Sequence, residues 1–147
     1  MRGIPELRID LVSDPEPETL RVALVNSSQV AFLVRSEIIF GGPLEDLEDR
    51  NLQVAITDAE GRAVPYQCLF ERDPTREPEM MVLWPGDALT VQYWLSPCYA
   101  FEQAKQYQIR AEYLPGPYVG KDFPKGSRPI PHPIVSKMLN HIPTEVP

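Results

Sequence analysis

The sequence predicts an all-β protein, an immunoglobulin-like antiparallel β-sandwich of about eight strands. Short segments in which apolar and polar residues alternate recur along the chain, and clusters of turn-forming residues separate them. No long segment of helical periodicity lies between them, which excludes a parallel α/β fold. A β-barrel remains the alternative, because the same alternation would serve a sheet that closes on itself.

Four strands are predicted in the first half of the chain, at residues 7–11, 20–25, 30–40 and 51–58. The Asp-Pro-Glu-Pro segment at 14–17 is predicted to be a loop, because proline has no amide hydrogen to donate to a sheet. The run at 30–40 is rich in β-branched and aromatic residues, which favours a buried strand. The fourth strand is expected to end in a hairpin turn at residues 58–61, with a positive φ at Gly61.

Four more strands are predicted in the second half, at residues 63–71, 80–84, 89–95 and 107–113, with an irregular or helical link near 99–106. The two tryptophans differ in their expected environments. Trp84 belongs to an apolar run and is predicted to lie in the core. Trp94 falls on the polar phase of its strand, so it is the better candidate for contact with a partner. Covering of Trp94 by the C-terminal segment is the competing interpretation.

Residues 1–114 are predicted to form the sandwich, and residues 115–147, which hold eight of the 17 prolines, a proline-rich extended tail. Within the tail, Val135, Met138, Leu139 and Ile142 are spaced as on one face of a helix, which predicts a short amphipathic helix near 135–142. A helix of eight residues is not stable alone in water. It is therefore expected to pack on the sandwich or in the groove of a partner.

The composition narrows the function classes. The formal net charge is −7, with the acidic residues concentrated before the tail, so binding to nucleic acid is not expected. Hydrophobic residues make up 43% of the chain, which excludes disorder throughout. The chain contains no apolar run long enough for a membrane span, and its start does not resemble a signal peptide, so no membrane association and a cytoplasmic location are expected.

Neither a metal site nor a catalytic site is predicted. Cys68 and Cys98 are expected to be buried reduced thiols, with a disulfide as the alternative. Together with His132 and His141 they could supply four zinc ligands, but their spacing does not match that of structural zinc sites, so no metal or other cofactor is predicted. No nucleophile elbow is present, and both histidines lie in the tail, away from any framework that could position them. The protein is therefore predicted not to be an enzyme.

Several turn segments carry a resemblance to a known domain. They are Asn26-Ser27, Gly42-Pro43-Leu44-Glu45, Gly-Arg-Ala-Val-Pro-Tyr at 61–66, Leu-Trp-Pro-Gly-Asp at 83–87, and Leu95-Ser96 with Tyr99 and Tyr107. With them, residues 20–113 resemble the small non-catalytic β-sandwich domain that precedes the catalytic domain in deuterolysin-like and peptidyl-Lys zinc metalloendopeptidases. The resemblance implies a sandwich fold and association with another protein. Proteolysis is not implied, because the zinc-binding His-Glu-x-x-His motif of those enzymes is absent.

These observations predict a non-enzymatic protein-binding module that inhibits or neutralises a partner enzyme such as a protease or toxin. The alternative is a structural or accessory subunit of a larger assembly, which would involve self-association or a fixed stoichiometry with neighbours. The residues expected to contact the partner are Trp94, Tyr118, Phe123, Val135, Met138, Leu139 and Ile142.

Overall fold

The computed structural model describes residues 7–15, 18–36, 38, 40–41, 51–66, 79–95, 98–102, 105–115, 118 and 122–142. These residues are all-β, with ten strands and one short 3-10 turn at Pro124–Gly126. The strands are β1 (Leu7–Pro15), β2 (Glu18–Asn26), β3 (Phe32–Arg35), β4 (Phe40–Gly41), β5 (Leu52–Thr57), β6 (Met80–Leu83), β7 (Ala88–Trp94), β8 (Tyr107–Tyr113), β9 (Ile134–Val135) and β10 (Leu139–His141). The return strand predicted at 63–71 is absent at 63–66, where Ala63 forms an isolated bridge, and its remainder lies outside the described residues.

The strands form three sheets with the orders β1-β2-β7, β10-β8-β5-β4 and β3-β6, and β9 also pairs with β8. The pairs are antiparallel except for the short parallel pair of β4 and β5. In β5 and β8 buried and more exposed residues alternate, as expected for strands with one face on a core. The arrangement is consistent with a β-sandwich, and its centre is filled by Leu20, Val22, Leu24, Phe32, Leu52, Val54, Leu83, Ile109 and Tyr113.

One long antiparallel ribbon runs through two of the sheets. Thr19–Val25 of β2 pair with Ala88–Trp94 of β7, and further along the same two chain segments β3 pairs with β6. The bend lies where β2 ends at Asn26, opposite the turn that joins β6 to β7. Strands that pass between sheets by such bends form the corners of sandwich folds.

Asn26 holds this corner together from inside the protein. Its side chain is completely buried, and its Nδ2 group donates hydrogen bonds to the carbonyl oxygens of Val30 (2.8 Å) and Leu83 (3.0 Å). Its Oδ1 atom accepts hydrogen bonds from the backbone N–H and the hydroxyl of Ser28. The backbone of Asn26 is bonded to Gly86 and Asp87 in the β6–β7 turn. One asparagine thus connects three chain segments.

We predict that Asn26 is not glycosylated, although Asn26-Ser27-Ser28 matches the acceptor pattern for N-linked glycans. The amide that would carry the sugar has no accessible surface and uses both of its hydrogens inside the fold. Expression through a eukaryotic secretory pathway, followed by glycosidase treatment, is expected to leave the mobility of the folded protein unchanged. A glycosidase-sensitive shift that maps to Asn26 would show that the corner is open during or after folding.

Two local predictions differ from the structure. Residues 14 and 15 belong to β1 and are not part of a loop, because proline is tolerated at the end of an edge strand, where no neighbouring strand needs its amide. Trp84 is 41% exposed and therefore not a core residue, since it lies where β6 turns into β7 and the side chain of Leu83 takes the inward position. The predicted hairpin turn at 58–61 is confirmed, with Gly61 at φ +81°.

The helix predicted near 135–142 is wrong: the segment forms the edge strands β9 and β10. Both pair with β8, and the register shifts by one residue between Leu139 opposite Ile109 and Val135 opposite Glu112. The extra residue forms a β-bulge at 136–138. There the hydroxyl of Ser136 accepts a hydrogen bond from the backbone N–H of Ala111. The backbone N–H of Ser136 donates to the carbonyl oxygen of Ala111. A strand forms because β8 offers an unpaired edge, whereas one short helix would lack partners for its ends.

The expectation of reduced thiols is also wrong, because Cys98 is disulfide-bonded. The chain contains two cysteines, so Cys68, which lies outside the described residues, is the counterpart of Cys98 within one molecule. The prediction failed because it assumed a reducing compartment. The residues around Cys98 gave no separate evidence for a free thiol.

Candidate protein-binding surface

Three large apolar side chains in and beside β9 and β10 are exposed. Val135, Met138 and Ile142, which we call the apolar stripe, are between 48% and 58% exposed. Their neighbours Ile134, Ser136 and His141 are buried on the inner side. Because side chains alternate across a strand, the inner residues attach the segment to the sandwich and the apolar stripe is left in contact with water.

Polar side chains surround the apolar stripe. Lys137 and Asn140 are exposed beside it on the same segment, and Gln108 and Arg110 are exposed on the adjacent strand β8. Glu112 of β8 lies opposite Val135 in the register. An apolar centre with a polar border is typical of surfaces that bind other proteins.

The segment that carries the apolar stripe is attached to the body at several points. Arg128 pairs with β3, since its N–H donates to the carbonyl of Ala31 and its carbonyl accepts from the N–H of Leu33. Ile130 and Ile134 are buried in the core. The stripe is therefore a preformed surface of the folded domain.

The other residues expected to contact a partner lie elsewhere or have internal roles. Trp94 is 63% exposed at the end of β7, on a different sheet from the apolar stripe, so no described part of the tail covers it. Tyr118 is half-buried, and its hydroxyl donates to the carbonyl of Leu33 and accepts from the N–H of Ile130. The ring of Phe123 packs on Tyr118 with 5.5 Å between centroids, and Leu139 packs partly against the core.

A second group of chemically capable side chains surrounds His141, which sequence reasoning placed away from any framework. The imidazole is 2% exposed, and its Nδ1 atom lies 3.0 Å from the hydroxyl oxygen of Ser13 on β1. The Phe101 ring lies 5.3 Å from the imidazole and 4.8 Å from the ring of Tyr107. Burial lowers the pKa of His141 below its ordinary value, because the imidazolium ion would lose hydration.

The buried Tyr99 and the partly buried Tyr66 extend this aromatic group. Tyr99 lies 6.0 Å from the ring of Phe101 and 5.4 Å from that of Tyr66. Burial raises the pKa of the Tyr99 phenol well above its usual value, so the phenol is neutral at physiological pH. The group is therefore an uncharged, aromatic-lined part of the interior.

The described residues contain no group of three or more His, Cys, Asp or Glu side chains that could hold a metal ion. His132 is exposed, and its Nδ1 atom is directed to the carbonyl of Pro133, so the two histidines do not meet. The acidic residues 45–49 lie outside the described ranges.

Sequence reasoning missed the residues that shape this surface. The sequence pattern did not predict that Ser136 and His141 are buried, because both residues are polar. The spacing of the exposed residues Val135, Met138 and Ile142 also matches one face of a helix. In this segment the pairing with β8 decides the structure.

No family model matches the chain, and no curated protein sequence matches it. Within the ranges that the structure describes, no helix has the length and hydropathy needed to cross a bilayer.

Proposed function

We propose that this protein is a non-enzymatic protein-binding module whose contact surface is the apolar stripe on β9 and β10. The observation that carries the proposal is that Val135, Met138 and Ile142 are each about half exposed within one short segment whose buried residues anchor it in the core. Scattered exposed apolar residues are ordinary, but several on one strand side indicate a binding site. Inhibition or neutralisation of a partner enzyme is the specific form that we propose.

The topology supports an immunoglobulin-like domain as the scaffold for this function. The sheet order β1-β2-β7 corresponds to strands A, B and E of that fold, and β5-β8-β10 corresponds to strands C, F and G. Such domains present loops and edge strands to other proteins. The proposed likeness to the β-sandwich domain of deuterolysin-like metalloendopeptidases fits the same scaffold, but fold alone does not specify an activity.

The pairing of His141 with Ser13 does not support a catalytic role. A general base must reach its substrate, and this imidazole is almost completely buried. Its Nδ1 atom contacts the serine, while its Nε2 atom is enclosed by protein. We therefore propose a structural role for this pair.

The proposal is tested with a triple variant, Val135→Ser, Met138→Ser and Ile142→Ser. About half of the surface of each side chain is exposed, and its burial by a partner would contribute about 1 kcal/mol of binding free energy per residue. Loss of all three contributions is expected to weaken binding to the partner by roughly 100-fold. Affinity capture with quantitative mass spectrometry identifies the partner, and calorimetry on the purified pair measures Kd. If the partner is an enzyme, its rate is expected to fall in proportion to added wild-type protein.

Trp84→Ser serves as the matched control, because Trp84 is a comparably exposed apolar residue on the β6–β7 turn. This control is expected to bind like the wild type. Equal binding by the triple variant and the wild type would rule out the apolar stripe. Truncation after Leu114 is not a suitable test, because it removes Ile130, Ile134 and His141 from the core.

The alternative function is a structural or accessory subunit. Among the described strands, β10 ends its sheet with β8 as its paired neighbour, and an edge strand can add a strand from a second copy. This alternative predicts that light scattering detects self-association that depends on protein concentration. A monomer at all accessible concentrations would favour the binding module.

We propose that the protein works in an oxidising compartment, in place of the cytoplasmic location expected from composition. The disulfide at Cys98 supports this proposal, because disulfides are rare in proteins kept in reducing compartments. Alkylation of thiols in freshly lysed cells, followed by mass spectrometry, is expected to find both cysteines unmodified. Full alkylation of both would support the cytoplasm.

A further inference from the structure

His141 lies between two of the three sheets, the one that contains β8 and β10 and the one that contains β1. The residue lies on β10 opposite Tyr107 of β8, in one sheet, and its Nδ1 atom lies 3.0 Å from the hydroxyl of Ser13 on β1, in the other sheet. The Phe101 ring packs 5.3 Å from the imidazole. Because β10 has three residues, this one side chain supplies much of its attachment to β1 and to the 98–102 segment.

The imidazole is held in a form that a second proton would disturb. Its Nε2 atom is buried and has no hydrogen-bond partner among the described residues. The imidazolium ion carries a proton on both ring nitrogens, so it would place a charged Nε2–H group in the interior without an acceptor among the described residues. Burial of an unpaired charge is among the most destabilising changes that a folded protein can undergo.

Among the side chains that the structure describes, the groups around His141 offer no compensating negative charge. On β1 the facing group is the hydroxyl of Ser13, and the nearby Asp10 is paired with Arg8 on the outer side. On β8 the facing residue is Tyr107, and Arg110 and Glu112 alternate onto the outer side. In the 98–102 segment Tyr99 is neutral and buried, and the exposed Glu102 is paired with Lys105. Lys137, on the same tail segment, is exposed.

We propose that His141 is a proton-sensitive latch, which holds β10 against β1 at neutral pH and releases the strand in mildly acidic solution. The released state has β10 separated from β8 and β1, with the rest of the sandwich folded. Edge strands with few neighbours are the elements that open locally without global unfolding.

The direction of the pH dependence follows from proton linkage. In the open state His141 is solvated and titrates near its ordinary pKa of about 6.5, whereas in the closed state burial keeps its pKa lower. The free-energy difference that favours the closed state is therefore largest above pH 6.5. Below pH 6.5 proton binding to the open state reduces this difference. The open fraction is expected to rise by up to tenfold for each pH unit below about 6.5, until the closed state also titrates.

Native-state hydrogen exchange on the full chain tests the latch. Protection of the Leu139–His141 amides, corrected for intrinsic exchange rates, is expected to fall about fivefold relative to the β5 amides between pH 6.5 and pH 5.5. In His141→Phe, which cannot titrate, protection of these amides is expected to be equal at both pH values. His132→Ala, which removes the exposed histidine, is expected to behave like the wild type.

An NMR titration of the wild-type histidines provides a second readout that needs no variant, should His141→Phe fail to fold. His141 is expected to titrate below its ordinary pKa of about 6.5, or only as β10 opens. The proposal is overturned if β10 keeps its protection at pH 5.5, if His141→Phe loses protection as the wild type does, or if His141 titrates at or above pH 6.5.

Discussion

The Asn26→Asp variant is expected to be destabilised by about 3–5 kcal/mol, the cost of leaving a buried charge without its partner. The carboxylate could not donate the two hydrogen bonds that the amide gives to the carbonyls of Val30 and Leu83, and it would place negative charge beside those oxygens. Since typical domains unfold with 5–15 kcal/mol, this one change removes a large part of the stability. Urea unfolding followed by circular dichroism measures the loss.

Ser27→Ala is the matched control for this prediction. Ser27 follows Asn26 directly but is exposed, and its hydroxyl accepts one hydrogen bond from Arg8. Its replacement is expected to change the free energy of unfolding by less than about 0.5 kcal/mol. If the Asn26→Asp and Ser27→Ala variants unfold at the same urea concentration, the corner is not held by the side chain of Asn26.

Reduction of the disulfide is expected to lower the free energy of unfolding by about 3–4 kcal/mol. A cross-link between Cys68 and Cys98 closes a loop of about 30 residues, and the chain-entropy relation assigns a loop of this length a stabilisation of that order. Cys98 also precedes the buried Tyr99, whose N–H donates to the carbonyl of Leu95, so the bond adjoins the aromatic group. Urea unfolding with and without a reductant gives the difference.

The Cys68→Ser and Cys98→Ser double variant separates the cross-link from other effects of the reductant. It is expected to match the reduced wild type, and addition of reductant to it is expected to change nothing. Two titratable thiols in the unfolded, non-reduced protein would contradict the disulfide.

Alternation of apolar and polar residues was sufficient to predict most of the sheet structure. It predicted β5 and β8 because each strand has one face on the core and one more exposed face. The residue types on the two faces differ accordingly. At 135–142 a different signal, the helix-like spacing of the apolar residues, was misleading. There the buried residues include the polar Ser136 and His141, and the exposed residues include the apolar Val135, Met138 and Ile142, so residue type does not predict burial.

The candidate surface could be predicted only in part, for the same reason. Val135, Met138 and Ile142 were identified as contact residues because they are apolar, and the structure leaves them exposed together. Tyr118 satisfied the same criterion but braces Leu33 and Ile130 internally. Whether an apolar side chain supports the fold or faces outward depends on distant segments, and the sequence pattern within one segment does not contain that information.

The attachment of residues 128–142 to β3, β8 and β1 has a consequence for biosynthesis. Ser13 and His141 are separated by 128 positions, yet they meet in the finished domain. The ribosome must therefore synthesise the chain as far as His141 before β10 can pack against β1. Until then the nascent polypeptide exposes the edge of β8 and the apolar surface that Ile130 and Ile134 later cover. Chaperones are expected to bind the chain during this period.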